Sequence, residues 1–179
     1  MWSPTPAGNT IVKVPSRGKV STLAVLGDLD AVSPGPPGPP AGNPMEAQAV
    51  PTSVATMGFD GAYYISQLTG FPFQKGLANI YRLDPRKPNP APTEYARNLT
   101  NVTDLAFNGR DLYAVQISTN GLRTGPTGSV VKVHPGDANP DIVLDGLFAP
   151  YGIAIRNGYA YVTTGSVAPG AGQVIKFKL

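Results

Sequence analysis

Short runs in which Val, Ile, Leu, Tyr and Phe alternate with polar residues recur along the chain between clusters of Gly and Pro, the pattern of many short strands joined by turns. One run repeats most clearly: Thr10-Ile11-Val12-Lys13-Val14, Asn79-Ile80-Tyr81-Arg82-Leu83, Ser129-Val130-Val131-Lys132-Val133 and Gln173-Val174-Ile175-Lys176-Phe177, each with a basic residue fourth and an apolar residue fifth. Period-2 alternation places Ile11 and Lys13 on one face and Val12 and Val14 on the other, so the aliphatic stem of the basic residue crosses a sheet face to reach solvent. That is a reading of these Lys and Arg residues as strand architecture rather than ligand contacts.

Ahead of three of these runs lie two further strands: Thr52–Ala55 then Tyr63–Ile65, Thr103–Ala106 then Leu112–Val115, and Gly152–Ile155 then Ala160–Val162. The links Gly58-Phe59-Asp60-Gly61, Asn108-Gly109 and Asn157-Gly158 supply residues that tolerate positive φ in tight turns, which makes each pair an antiparallel hairpin. A fourth strand follows the basic one at Val20–Ala24, Thr93–Ala96 and Asp141–Leu144. The unit is a four-stranded meander of about 45 to 50 residues.

Helix-free repeats of this kind are the mark of β-propeller blades. With strands a to d running from centre to rim, the chain reads c-d, then a-b-c-d twice, then a-b-c, thirteen strands in all. The expected fold is an all-β, partial propeller of about three to three and a half blades, one incomplete domain over residues 1–179, with the small Ala55, Ala106 and Ala154 on the crowded innermost strands. Open strand edges at its ends invite self-association, two copies closing something near six blades. Residues 31–44, which hold Pro34-Gly35-Pro36-Pro37-Gly38-Pro39-Pro40, stand outside the repeat and read as a stiff, extended, exposed loop whose polyproline II conformation could engage a partner.

Composition narrows the picture. The 21 Gly and 20 Pro argue against long helices. The 14 basic and 11 acidic residues are spread out, without the clustered stripe that follows a phosphate backbone, so no nucleic-acid partner is expected. No apolar run reaches the ~20 residues of a membrane helix. The start, Met1-Trp2-Ser3-Pro4, lacks a basic region followed by an apolar stretch, so no export signal is read there. Without cysteine there is no disulfide, thiolate metal site or cysteine nucleophile.

Candidate chemistry gathers on the loops joining strands b and c, the long ones here: Ser66–Gly76, Gln116–Thr127 and the shorter Thr164–Ala171. Gln67, Gln116 and Thr164 occupy equivalent positions three residues past the repeat tyrosine, a ring of uncharged hydrogen-bonding groups. They either bind a small polar ligand, with Thr69 and Asn120 from the same loops, or cap loop backbone groups. Phe71 and Phe73 flank Pro72 and form either an apolar wall for that ligand or a plug between blades. Asp104 with Asn101 is a candidate for Ca²⁺ or another divalent ion, short of the six or more oxygens such an ion takes. His134, the one histidine, sits in a turn after strand c and is given no catalytic role. The sequons at Asn98 and Asn101 matter only in a eukaryotic secretory route.

The segments Gln48–Ala55, Gly61–Ile65 and Gln67–Phe73, continued by Leu99–Ala106 and Asn120-Gly121-Leu122, resemble the ScyD/ScyE-like propellers, named for an association with scytonemin biosynthesis, from about Asn9 to Val174. The resemblance implies a six-bladed propeller akin to the NHL and gluconolactonase-like groups, of a commonly exported and hence extracellular or periplasmic kind. Members are roughly twice as long, and relatives can carry glutamate where this chain has Gln67 and Gln116, which weakens any metal site here. The expected function is a non-catalytic binding or scaffold module acting through the b–c loop face on a small molecule or protein. The alternatives are a lactonase-like, metal-dependent hydrolase completed by missing blades or a second copy, and a gene fragment without independent function.

Overall fold

The computed structural model describes residues 2–5, 8–136 and 138–179, the first four by backbone alone; Met1 and Asp137 of the sequence reading lie outside them. The described residues form sixteen strands and no α-helix. Five antiparallel sheets result, none closed into a barrel. The first meander is three-stranded: β1 (Trp2–Thr5), β2 (Thr10–Lys13) and β3 (Ser21–Val25). A two-stranded hairpin follows, β4 (Leu29–Val32) with β5 (Pro44–Ala47). The second meander is β6 (Pro51–Thr56), β7 (Tyr63–Gln67), β8 (Ala78–Leu83) and β9 (Thr93–Leu99). The third is β10 (Val102–Asn108), β11 (Asp111–Gln116), β12 (Thr127–Val133) and β13 (Asp141–Phe148). The fourth has three strands, β14 (Ile153–Arg156), β15 (Tyr159–Thr164) and β16 (Gln173–Lys178).

The expected thirteen strands are thus too few, and the additions are β1, β4 and β5. Trp2-Ser3-Pro4-Thr5 shows no alternation, and only its pairing with β2, Trp2 opposite Lys13 through Thr5 opposite Thr10, makes it a strand. Residues 31–44 are not one extended loop either. Their ends belong to β4 and β5, and the Pro-rich centre is the tip of that hairpin. The amide of Ser33 donates to Asn43 O (2.8 Å) and that of Gly42 to Ser33 O (2.8 Å). The buried Ser33 hydroxyl donates to Pro39 O at 2.6 Å and accepts from Gly35 N at 3.1 Å. Positive φ at Gly35 (97°) and Gly42 (88°) breaks any continuous polyproline II helix.

Packing follows the chain. A core of Ile11, Ala24 and Leu26 from the first meander with Ile65 and Leu83 from the second fills the first interface. Tyr64, Ile80 and Leu99 meet Leu105, Leu112, Val131 and Val133 in the next. Tyr113, Val115 and Val130 meet Ile153, Ala160 and Val162 in the last. The second and third meanders are therefore buried on both faces: Ile80 points forward along the chain and Leu83 backward, as do Val130 and Val133. Strand β10 lies alongside both β6 and β14, so the leading strands of successive meanders are neighbours.

A one-residue bulge recurs in the strand that follows the basic run. Ile11 faces Ala24 but Val12 faces Thr22, Ile80 faces Ala96 but Tyr81 faces Glu94, and Val130 faces Leu144 but Val131 faces Ile142. The extra residues, Leu23, Tyr95 and Val143, all pack against the cores. A bulge at the same register adds local twist, which lets each outer edge turn away from the strand stack.

Candidate functional site

The loops after β7 and β11 come together at one edge of the second and third meanders. Gly121, with φ 91°, approaches so closely that a methyl group there would stand 2.5 Å from Phe73 O. Lys75 Nζ donates to Asn120 Oδ1 across the contact at 2.9 Å. Beneath them Asn101 is fully buried with φ 44° and ties both loops to the entry of β10: its Nδ2 donates to Leu68 O (2.7 Å) and Thr69 Oγ1 (3.4 Å), and its Oδ1 accepts from Leu122 N (3.0 Å).

The paired loops and β12–β13 enclose a cleft of about 320 Å³ whose polar wall includes Lys75, Asn98, Gln116, Thr119, Asn120 and Asp145. Val131, Pro140 and Ile142 supply apolar surface. A second cleft of about 240 Å³ shares Lys75 and Asn120 and is lined by Phe73, Pro72 and Arg123. An ammonium has three donors, and Lys75 spends one on Asn120, leaving two for a ligand. Asp145 is exposed, with one oxygen accepting from Gly146 N at 2.8 Å.

The sequence-derived residues divide accordingly. Asn120 lines both clefts, Gln116 the first, Phe73 the second, and Thr164 a third at the far end of β15. Gln116 is buried and spends its amide on the fold: Oε1 accepts from Thr100 N at 2.6 Å and Nε2 donates to Ser129 Oγ at 3.0 Å. Gln67 is fully buried, its Oε1 accepting from Asn79 N at 2.9 Å, while its Nε2 has no partner. Thr69 is fully buried between the meanders at φ 64°. Phe71 contacts Phe73 edge-on, with centroids 6.5 Å apart, and carries the Arg123 guanidinium 5.6 Å over its ring. The Pro-rich tip lies against it: a methyl on Gly38 would stand 3.1 Å from Phe71 Cε1. Val32 N donating to Gln74 Oε1 at 2.9 Å fastens the hairpin to the same loop.

Asp104 sits at the crossing of three leading strands. Its Oδ1 accepts from Ser53 Oγ on β6 (2.7 Å) and Leu105 N (2.9 Å), and its Oδ2 accepts from Ile153 N on β14 (2.8 Å). Thr52 Oγ1 donating to Val102 O (2.8 Å) and Thr103 Oγ1 donating to Tyr151 O (2.6 Å) make parallel ties between successive meanders. Both carboxylate oxygens thus face protein N–H and O–H donors, and no group of three or more His, Asp or Glu side chains gathers among the described residues.

The basic series pairs within its own sheets. Arg82 lies 3.4 Å from Asp60, Lys132 lies 2.9 Å from Asp111, and Lys176 rests 4.3 Å over the Tyr159 ring and 5.6 Å from that of Tyr161. At Asp60 burial works to raise the pKa, but hydrogen bonds from Ala62 N, the Tyr64 hydroxyl and Arg82 outweigh it and hold the carboxyl below its ordinary value. Burial, reinforced by that bond to Asp60, pushes the Tyr64 phenol up to about 12. His134, at the turn after β12, pairs with Asp141 at 3.0 Å in the open.

Lys75 and Asp145 are not singled out from sequence, and Asn98 only as a sequon. Lys75 lies in the long first loop, where a cation beside Gly76 was a readable signal; Asn98 and Asp145 come from outer strands that the loop argument did not reach. No family model matches the chain, and no curated protein matches it.

Proposed function

We propose that the chain is a propeller-type binding or scaffold module of the ScyD/ScyE-like kind, which holds a small, hydroxyl-rich ligand in the cleft formed where its loops meet. Four meanders stacked in chain order, leading strands side by side, support the blade reading. Location outside the cytoplasm goes with the resemblance. The observation that carries the binding role is the cleft itself. Lys75, Asn120 and Asp145 present unspent donors and acceptors over an apolar floor of Val131 and Ile142, in a volume suited to a small molecule. The mix of one cation, one anion and neutral amides favours a neutral polyol over a strongly charged ligand.

The test is amide NMR titration with myo-inositol and methyl β-glucoside as probes. Perturbations centred on Lys75, Asn120 and Asp145, abolished by Lys75→Met and by Asn120→Ala at unchanged melting temperature, are the expected result. Absence of any localised perturbation up to about 10 mM of either probe would refute the assignment of ligand class.

A further inference from the structure

The forward face of the fourth meander repeats, at three equivalent positions, a face that is buried in the two meanders before it. In the pairing of leading and second strands, Ala55 opposes Tyr64, Ala106 opposes Tyr113 and Ala154 opposes Tyr161. In the third strand Ile80, Val130 and Val174 are equivalent. Tyr64 and Tyr113 are 2% and 5% exposed, and Ile80 and Val130 are wholly buried, because the next meander lies on them. Tyr161 is 37% exposed and Val174 66%, with Tyr159 and the stem of Lys176 completing the surface. The repeats therefore show what kind of surface covers this face: the backward side of a β-meander, made of apolar residues such as Leu105, Leu112 and Val133 in the third or Ile153, Val162 and Phe177 in the fourth.

Among the described residues one such backward side, that of the first meander, has no other sheet packed on it. In the first meander Ile11 and Ala24 point forward into the core, so Val12 and Val25, adjacent to them in alternation, point backward; Val12 is partly exposed and Val25 is 59% exposed. We infer that the forward face of the fourth meander docks on the backward face of the first meander of a second copy. Two copies joined head to tail in this way through two equivalent contacts bring together eight stacked meanders, at the upper end of the four to eight blades that closed propellers have. Closure by two rests on the propeller reading above; the docking of one face on the other does not.

Sedimentation velocity on the whole chain tests it. The expected species is a dimer of about 37 kDa, twice the 18.6 kDa chain. Val174→Asp and Tyr161→Arg place charge on exposed positions of the face, so each is expected to give the monomer with an unchanged far-UV circular dichroism spectrum. A wild-type monomer at about 100 µM, or a dimer that survives both substitutions, overturns the docking. A growing polymer dissolved by Val174→Asp upholds the docking and overturns closure by two, and with it the ring reading; the NMR titration at the cleft is unaffected by either result.

Discussion

Replacing Asp104 with alanine tests what holds the meanders together. The carboxylate takes one hydrogen bond from β6 through Ser53 and one from β14 through Ile153, besides its local bond to Leu105 N. Truncation removes two inter-strand bonds to a charged acceptor, each worth about 1.5 to 3 kcal/mol, and water replaces part of them at this half-buried site, so a loss of about 3 kcal/mol is expected. For a chain of this size each kcal/mol moves the melting temperature by about 2 to 4 °C, which gives a fall of about 6 to 12 °C by calorimetry or circular dichroism. Asp104→Asn keeps one acceptor and leaves the N–H of either Leu105 or Ile153 facing an amide NH₂, so it falls between, at about 1.5 kcal/mol. Dialysis against EDTA is expected to leave the wild-type melting temperature where it is. An alanine variant within about 2 °C of wild type would refute the strand-tie account. A chelator-induced fall abolished by the same substitution would replace it with a cation site.

The two equivalent glutamines are expected to respond unequally. Gln116→Met breaks two bonds and costs about 2 to 3 kcal/mol, whereas Gln67→Met orphans Asn79 N but removes the unpartnered Nε2, for a net change within about 1 kcal/mol; urea denaturation of both variants checks the difference, and equal losses would contradict it. Asp60, with its pKa held below the ordinary 3.8, contributes stability that is fully present above that value and is lost as pH falls through the depressed one, since the unfolded chain binds the proton first. Asp60→Asn should accordingly flatten the acid limb of stability below about pH 4, and parallel limbs for the two proteins would count against the Tyr64–Asp60–Arg82 network as its source.

Much of the candidate site was legible in local terms. The long Gly-rich loops after β7 and β11 were readable as loops, and Asn120 from the second of them lines both clefts. What the repeat arithmetic did not give was direction. Gln67, Thr69 and Gln116 are small polar groups in loop-flanking positions, and nothing local separates one that faces a ligand from one that faces a backbone amide. Asn98 and Asp145 entered the cleft wall only because two meanders stack at a particular offset.

By itself the sequence determined thirteen of the sixteen strands, their order within each meander, the hairpin turns at Asn108-Gly109 and Asn157-Gly158, and the alternation that sets which residues can be buried, because all of these follow from backbone sterics and period-2 geometry over a few residues. Only the tertiary structure decided that Trp2–Thr5 is a strand, that the Pro-rich segment is a hairpin clasped to the Phe71 loop, and that Asp104 joins three strands. Each depends on a particular partner segment about 5 to 50 residues away, and the choice of that partner leaves no trace in the local pattern of these segments. The same distinction explains the exposed Tyr161 face: its residues repeat those of Tyr64 and Tyr113, and burial is set by what lies opposite.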